Sequence, residues 1–182
     1  MGTVKVTNIE PIADNGTVTL GSSGDTIALT SGATTSGFGK VGQVVTSVLN
    51  TTVTTTSQTF TDTGLSVSIT PSSTSSKVLV LVTLGSLGMS NLTLLLNLVR
   101  GSTNIAQPAS GTFPASIQHY TVNAATSTSQ NLTFLDSPAT TSATVYKIQW
   151  RKDGSSTGYL NRHVSSANYS AVSTITAMEI LG

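Results

Sequence analysis

Leu65-Ser66-Val67-Ser68-Ile69-Thr70-Pro71 alternates apolar and hydroxyl side chains and then meets a proline. A period of two puts Leu65, Val67 and Ile69 on one face of a half-buried β-strand, and the missing proline N–H ends its ladder. Outward from there, Lys77 to Leu84 is apolar on both faces apart from Thr83, which suits a central strand or one pressed against another subunit. Leu92, Leu94, Leu96 and Leu98 alternate with Thr93, Leu95, Asn97 and Val99. Between the two runs stand Gly85-Ser86, Gly88 and Ser90-Asn91, so the expectation is a hairpin turning around Gly85 to Asn91. Asn131 to Leu135 and Thr144 to Arg151 read as further strands, the second with Tyr146, Ile148 and Trp150 on one face and Lys147, Gln149 and Arg151 on the other. Asp153-Gly154 turns the chain back toward Tyr159 to Val164 as a hairpin. Thr174 to Leu181 is apolar on both faces save Glu179, and pairs inside the sheet system or at an interface. No segment offers a capped amphipathic helix. The fold class is all-β, with an antiparallel β-sandwich of jelly-roll type over residues 41–182.

Residues 1–40 read differently, as a short N-terminal β arm. Val4-Lys5-Val6, Thr17 to Leu20 and Thr26 to Thr30 are brief strands, separated by Asn15-Gly16, Gly21 to Asp25 and Ser31-Gly32. Strands this short carry too few apolar side chains to bury a face within one chain, so the arm is expected to serve virion attachment or the intertwining of a trimer.

Composition narrows the function. Of 182 residues only 8% are charged, the formal charge is +1, and about a third are Ser or Thr, against roughly a quarter charged in an average domain. With 37% hydrophobic residues such a chain folds rather than staying disordered. No basic cluster exceeds Arg151-Lys152, which argues against a nucleic-acid partner. There is no cysteine, so disulfides, thiolate metal sites and thiol nucleophiles are all excluded. The first ten residues lack the apolar core of a signal peptide, and folding in the cytoplasm of the producing cell is expected. Val78 to Val99 is free of charge, yet its internal glycines and polar residues argue against membrane insertion.

Catalytic patterns are sparse. His119 and His163, the two histidines, lack the spacing of a zinc site, and there is no Gly-x-Ser-x-Gly elbow. Among the acids, Asp14, Asp25, Asp62 and Asp153 sit at turn-like positions, and nothing in the sequence links Asp136 to Glu179. No cofactor and no enzymatic activity are expected. Trp150, Tyr146 and Tyr159 suit an aromatic sugar-binding surface, but the first two share a face with Ile148, which favours core packing. Gly101 to Ser116, containing Pro108, Gly111 and Pro114, is the longest segment without alternation. Long loops on a β scaffold are where recognition resides, so Ser110, Gly111, Thr112 and Phe113 are the candidate receptor-contact residues.

Several blocks together resemble a family. They are FTDTGLSVSITPSSTSSKVLVLV at residues 60–82, LVRGSTNI at 98–105, FLDSP at 134–138 and AMEI at 177–180, with SGATTSGFG at 31–39 before them. This set resembles a β-rich domain of tailed-bacteriophage tail fibre and tail proteins, notably from aquatic environmental phages, and leaves residues from about 103 to 129 unmatched. The resemblance implies a virion location, homotrimeric assembly and an adsorption-linked role, and it supplies no catalytic residues. The function expected is a short trimeric tail fibre or fibre tip, docked to other virion proteins of tail, baseplate or capsid and presenting loops to a host-surface glycan or protein. The alternatives are a capsid decoration protein and, from another class, a polysaccharide-degrading tailspike.

Overall fold

A computed structural model describes residues 40–182, and all their regular structure is β. The short strands expected in the N-terminal arm lie outside the described residues. The strands are β1 (Val41–Leu49), β2 (Val53–Thr55), β3 (Thr61–Ile69), β4 (Lys77–Arg100), β5 (Thr103–Asn104) and β6 (Ile117–Asp136). They continue with β7 (Thr144–Asp153), β8 (Gly158–Leu160), β9 (Arg162–His163), β10 (Ser166–Ser170) and β11 (Ser173–Ile180).

The alternating segments behave as their period dictates. In β3, Leu65, Val67 and Ile69 are buried while Ser66 and Ser68 face water; in β7, Tyr146, Ile148 and Trp150 are buried and Lys147, Gln149 and Arg151 are partly exposed. β11 lies inside the sheet, between β1 and β4, with Ser173, Ile175, Ala177 and Glu179 on its buried face and Thr174, Thr176, Met178 and Ile180 half-buried on the other.

The hairpin expected around Gly85 to Asn91 does not form. β4 runs unbroken from Lys77 to Arg100, and β6 accompanies it antiparallel from Val78↔Asp136 to Leu96↔Ile117. Register slips between Leu84 and Leu87 and between Ser90 and Leu92 bend this ribbon without reversing it. The glycines mistaken for turn residues permit close approach instead. A Cβ on Gly85 would strike the Val172 carbonyl oxygen and lie 2.9 Å from Ala171 Cβ, and one on Gly88 would lie 2.5 Å from Ser127 Oγ. Neither is among the described glycines with positive φ, which are Gly64, Gly101, Gly111 and Gly154.

On its other side β4 changes neighbours along its length, pairing with β11 at Thr83 and before, with β8 at Leu87–Met89, and with β7 from Thr93 to Arg100. β1 extends β11 and β3 extends β7, so the order is β1-β11-β4-β7-β3. The bent β4 therefore belongs to both layers of the sandwich, and the antiparallel sheet curls into a half-barrel in which β3 approaches β1 and β11 without backbone pairing. The reversal and hairpin expected at Asp153-Gly154 do not form: the chain only bends there, with φ of 101° at Gly154, and β8 continues in the direction of β7 along the same edge of β4. β7 already has β3 on one side and β4 on the other, so β8 finds its partners in β2 and β4. One core fills the interior, drawn from Leu65, Val67 and Ile69, from Val78, Val80, Val82 and Leu84, from Leu94, Leu96 and Leu98, and from Tyr146, Ile148 and Trp150.

Two buried polar side chains, Asp136 and Asn161, are tied off by hydrogen bonds. Asp136 accepts two hydrogen bonds from Arg100 Nη1, at 2.9 and 2.8 Å, and one from the Tyr146 hydroxyl at 2.7 Å. Asn161 adopts φ of 62°, which asparagine tolerates, and its Nδ2 donates to the carbonyls of Leu49 (2.7 Å) and Thr51 (3.1 Å). Its Oδ1 accepts from Ser173 Oγ, so one side chain ties the end of β1 to the start of β11.

Candidate recognition site

The loop between β5 and β6 is fastened to the body at both ends. Ile105 N donates to Leu98 O (3.1 Å), Ser116 N to Leu96 O (2.8 Å), and Ser116 Oγ accepts from Leu98 N (3.0 Å). Gln107 Nε2 reaches the buried Asn97 Oδ1 (2.9 Å) and the Pro114 carbonyl (3.2 Å). This cover explains why Leu95 and Val99, on the outward face of β4, are buried as deeply as Leu94, Leu96 and Leu98 on its inward face. Between the fastenings Ser110, Gly111, Thr112 and Phe113 project into solvent, with Phe113 49% exposed and Gly111 at φ of 140°.

Two clefts flank that tip. One, of about 290 Å³, lies between the tip, Leu95 and Gln118, with Asp153 at its wall. The other, of about 530 Å³, is lined by Phe113, Thr112 and Pro114 together with Gln58, Thr59, Phe60, Asn104, Gln107 and Arg151. Arg151 dominates it. Its guanidinium carbon stands 4.9 Å from the Phe113 ring centre and 5.7 Å from that of Phe60, and Nη1 donates to the Gln58 carbonyl at 3.0 Å. Strand β7 sets this position, since Trp150 points into the core and its neighbour must point out. Sequence reasoning placed Arg151 on the outward face of β7 but did not join it to Phe60 or to the loop. The only local signal was an aromatic residue, Phe60, at the exposed entry to a strand.

The other candidates fall elsewhere. Tyr146 and Trp150 are core residues, while Tyr159 carries the Arg162 guanidinium 4.6 Å from its ring centre, away from the tip. His119 is buried on β6, and its removal from water pushes its pKa below the usual histidine value against an opposing hydrogen bond to the Thr126 backbone carbonyl. His163 packs edge-on against Tyr169. Among the described residues no group of three potential metal ligands comes together. Asp136 and Glu179 lie on either side of Val78, two strand spacings (about 10 Å) apart. Each is saturated by its own partners. Burial opposes charge on Glu179, yet hydrogen bonds from Ser72 and Gln43 hold its pKa down to about 2, with Ser72 N and Oγ both at 2.6 Å and Gln43 Nε2 at 2.8 Å. The Asp62 carboxylate is likewise lowered, by Lys147 Nζ (2.9 Å) and Gln149 Nε2 (2.8 Å). No family model and no curated protein matches this sequence.

Proposed function

We propose that the chain is a structural subunit of a tailed-phage virion, a short homotrimeric tail fibre or fibre tip that contributes to host-surface adsorption and is not an enzyme. The observation that carries this reading is the Phe113 tip, an exposed aromatic on a loop fastened at both ends to a β scaffold and flanked by two clefts. Preorganised exposed loops of this kind suit recognition, because little conformational entropy is lost on contact. The family resemblance of residues 60–82, 98–105, 134–138 and 177–180 supplies the virion context. Assembly is supported by an apolar ladder on the outer face of the sheet, where Val44, Met178, Leu79 and Leu135 follow one another in register across β1, β11, β4 and β6. Exposed apolar patches of this kind mark surfaces that another subunit covers, and a second copy of this chain is the occupant we assign. The ionisable groups at the core's edge are engaged in holding the fold, which fits a structural role better than acid–base work.

Gold-labelled antibody against this chain, viewed on intact particles by electron microscopy, tests the reading. Label at the tail is expected. Label distributed over the head would overturn it in favour of a capsid decoration protein, and sustained depolymerisation of host polysaccharide by the purified chain would overturn the non-enzymatic part.

A further inference from the structure

The larger cleft beside Phe113 has a definite chemistry. Two phenyl rings, Phe60 and Phe113, offer apolar faces; Gln58, Asn104 and Gln107 offer amide groups; and a single charged side chain, Arg151, lines the wall. Aromatic faces plus amides suit a sugar, whose C–H surface stacks while its hydroxyls exchange hydrogen bonds. The cation adds a preference. Among the described residues Arg151 makes no ion pair, and only Nη1 is engaged, on a neutral carbonyl. Holding an uncompensated guanidinium against two rings fixes its position, since cation–π contact restrains the stem without neutralising the charge. A planar cation with unused N–H donors in a cleft of about 530 Å³ matches a carboxylate better than a hydroxyl.

We infer that this cleft is a subsite for an acidic saccharide, with Arg151 pairing the sugar carboxylate and Phe113 and Phe60 stacking on its ring. The inference deepens the adsorption reading by naming its ligand class, and it rests on that reading only for its biological role. Weak binding per site is expected from one ion pair and one or two stacked faces, and a symmetric oligomer compensates by engaging several sites on one surface.

The test is titration of the purified chain, followed by chemical shifts or heat, with a galacturonate trimer, the neutral maltotriose of the same length, and inorganic phosphate. The acidic trimer is expected to bind at least about tenfold more tightly than the neutral one, and to weaken as ionic strength rises. Arg151→Gln, which keeps a polar side chain of similar reach, should abolish the preference for acid over neutral. Phe113→Ala, at an exposed tip, should weaken both sugars with the melting temperature unchanged, so a folding defect at position 151 would leave a second variant to decide. Equal binding of both trimers, no binding of either at millimolar concentration, or an unchanged preference in Arg151→Gln would overturn the assignment. So would phosphate binding as tight as the acidic trimer, which would reduce the site to a general anion contact. Tail label on particles with no saccharide preference sinks the subsite and spares the tail-fibre reading, whereas acid preference with head label does the reverse.

Discussion

Arg100, the last residue of β4, closes on Asp136, which pairs with Val78 at the other end of the same strand. A straight strand of 24 residues would span roughly 75 Å at the usual rise, so the 2.8 Å contact measures how completely β4 folds over between the two layers. The Tyr146 hydroxyl shares the same carboxylate, and burial together with that negative neighbour raises its pKa well above the ordinary phenol value.

Removing the shared acceptor should therefore hurt more than removing one donor. Asp136→Ala leaves a buried hydroxyl and a half-covered guanidinium without their partner, and a loss of about 3 kcal/mol is expected. Tyr146→Phe removes one hydrogen bond and leaves Asp136 its Arg100 contacts, so about 1 kcal/mol is expected. Urea unfolding of the two variants checks the order. Equal losses would mean that the triad does not act through Asp136.

Acid should weaken the fold through Glu179. Its pKa is about 2 in the folded state against an ordinary 4.5, so the folded state favours the ionised form. The stabilisation is complete above the ordinary value and drains away as pH falls from about 5 toward 2, amounting to on the order of 3 kcal/mol. Glu179→Gln should lose most of it at neutral pH, and the gap between the two proteins should close in that acid window. Asp62 and His119 titrate in both proteins, so the difference isolates Glu179. A gap that stays constant down to pH 2 would remove the carboxylate from the account.

The glycines of β4 carry a sharper expectation. Gly85→Ala would drive a methyl group into the backbone of Val172, which cannot move as a flexible side chain would, so a loss above about 3 kcal/mol or failure to fold is expected. Gly101→Ala meets nothing within 4 Å and suffers only the strain of φ at 60°, about 1 kcal/mol. Thermal melts of both variants distinguish close approach from turn chemistry. If Gly85→Ala were the milder change, the strand-bend account of β4 would fail.

That contrast also shows what the sequence could and could not say. Local period was sufficient for β3 and β7, where Leu65, Val67 and Ile69 or Tyr146, Ile148 and Trp150 face the core as their spacing requires. Gly85 and Gly88 were misread because a glycine demanded by a distant segment looks, locally, like one demanded by a turn. Asp153-Gly154 reads locally as a reversal but is only a bend, since the sequence does not reveal that both sides of β7 are taken and that β4 offers its next stretch of edge to β8. For the candidate site, the loop from Gly101 to Ser116 was legible as an interruption of pattern. Its union with Arg151 and Phe60 was not, because that contact joins residues far apart in the chain and depends on the curl of the sheet.

The outer ladder gives the last prediction. Val44 pairs with Met178, Met178 with Leu79 and Leu79 with Leu135, and the two ends of this row are 53% and 48% exposed. Val80, one position away on β4, faces inward and is fully buried. If the ladder is where copies of the chain meet, Leu135→Lys should place a charge in the contact and convert the proposed trimer to monomer, read as mass by light scattering, while the monomer keeps its β circular dichroism. Val80→Asp, by contrast, buries an unpaired carboxylate and should cost several kcal/mol whatever the oligomeric state, about the scale of the largest single-site effects. The pair separates interface from core on adjacent strands of one sheet. A Leu135→Lys protein that stays trimeric would move the interface off this face, and a wild-type chain that runs as a stable monomer would remove the trimer itself.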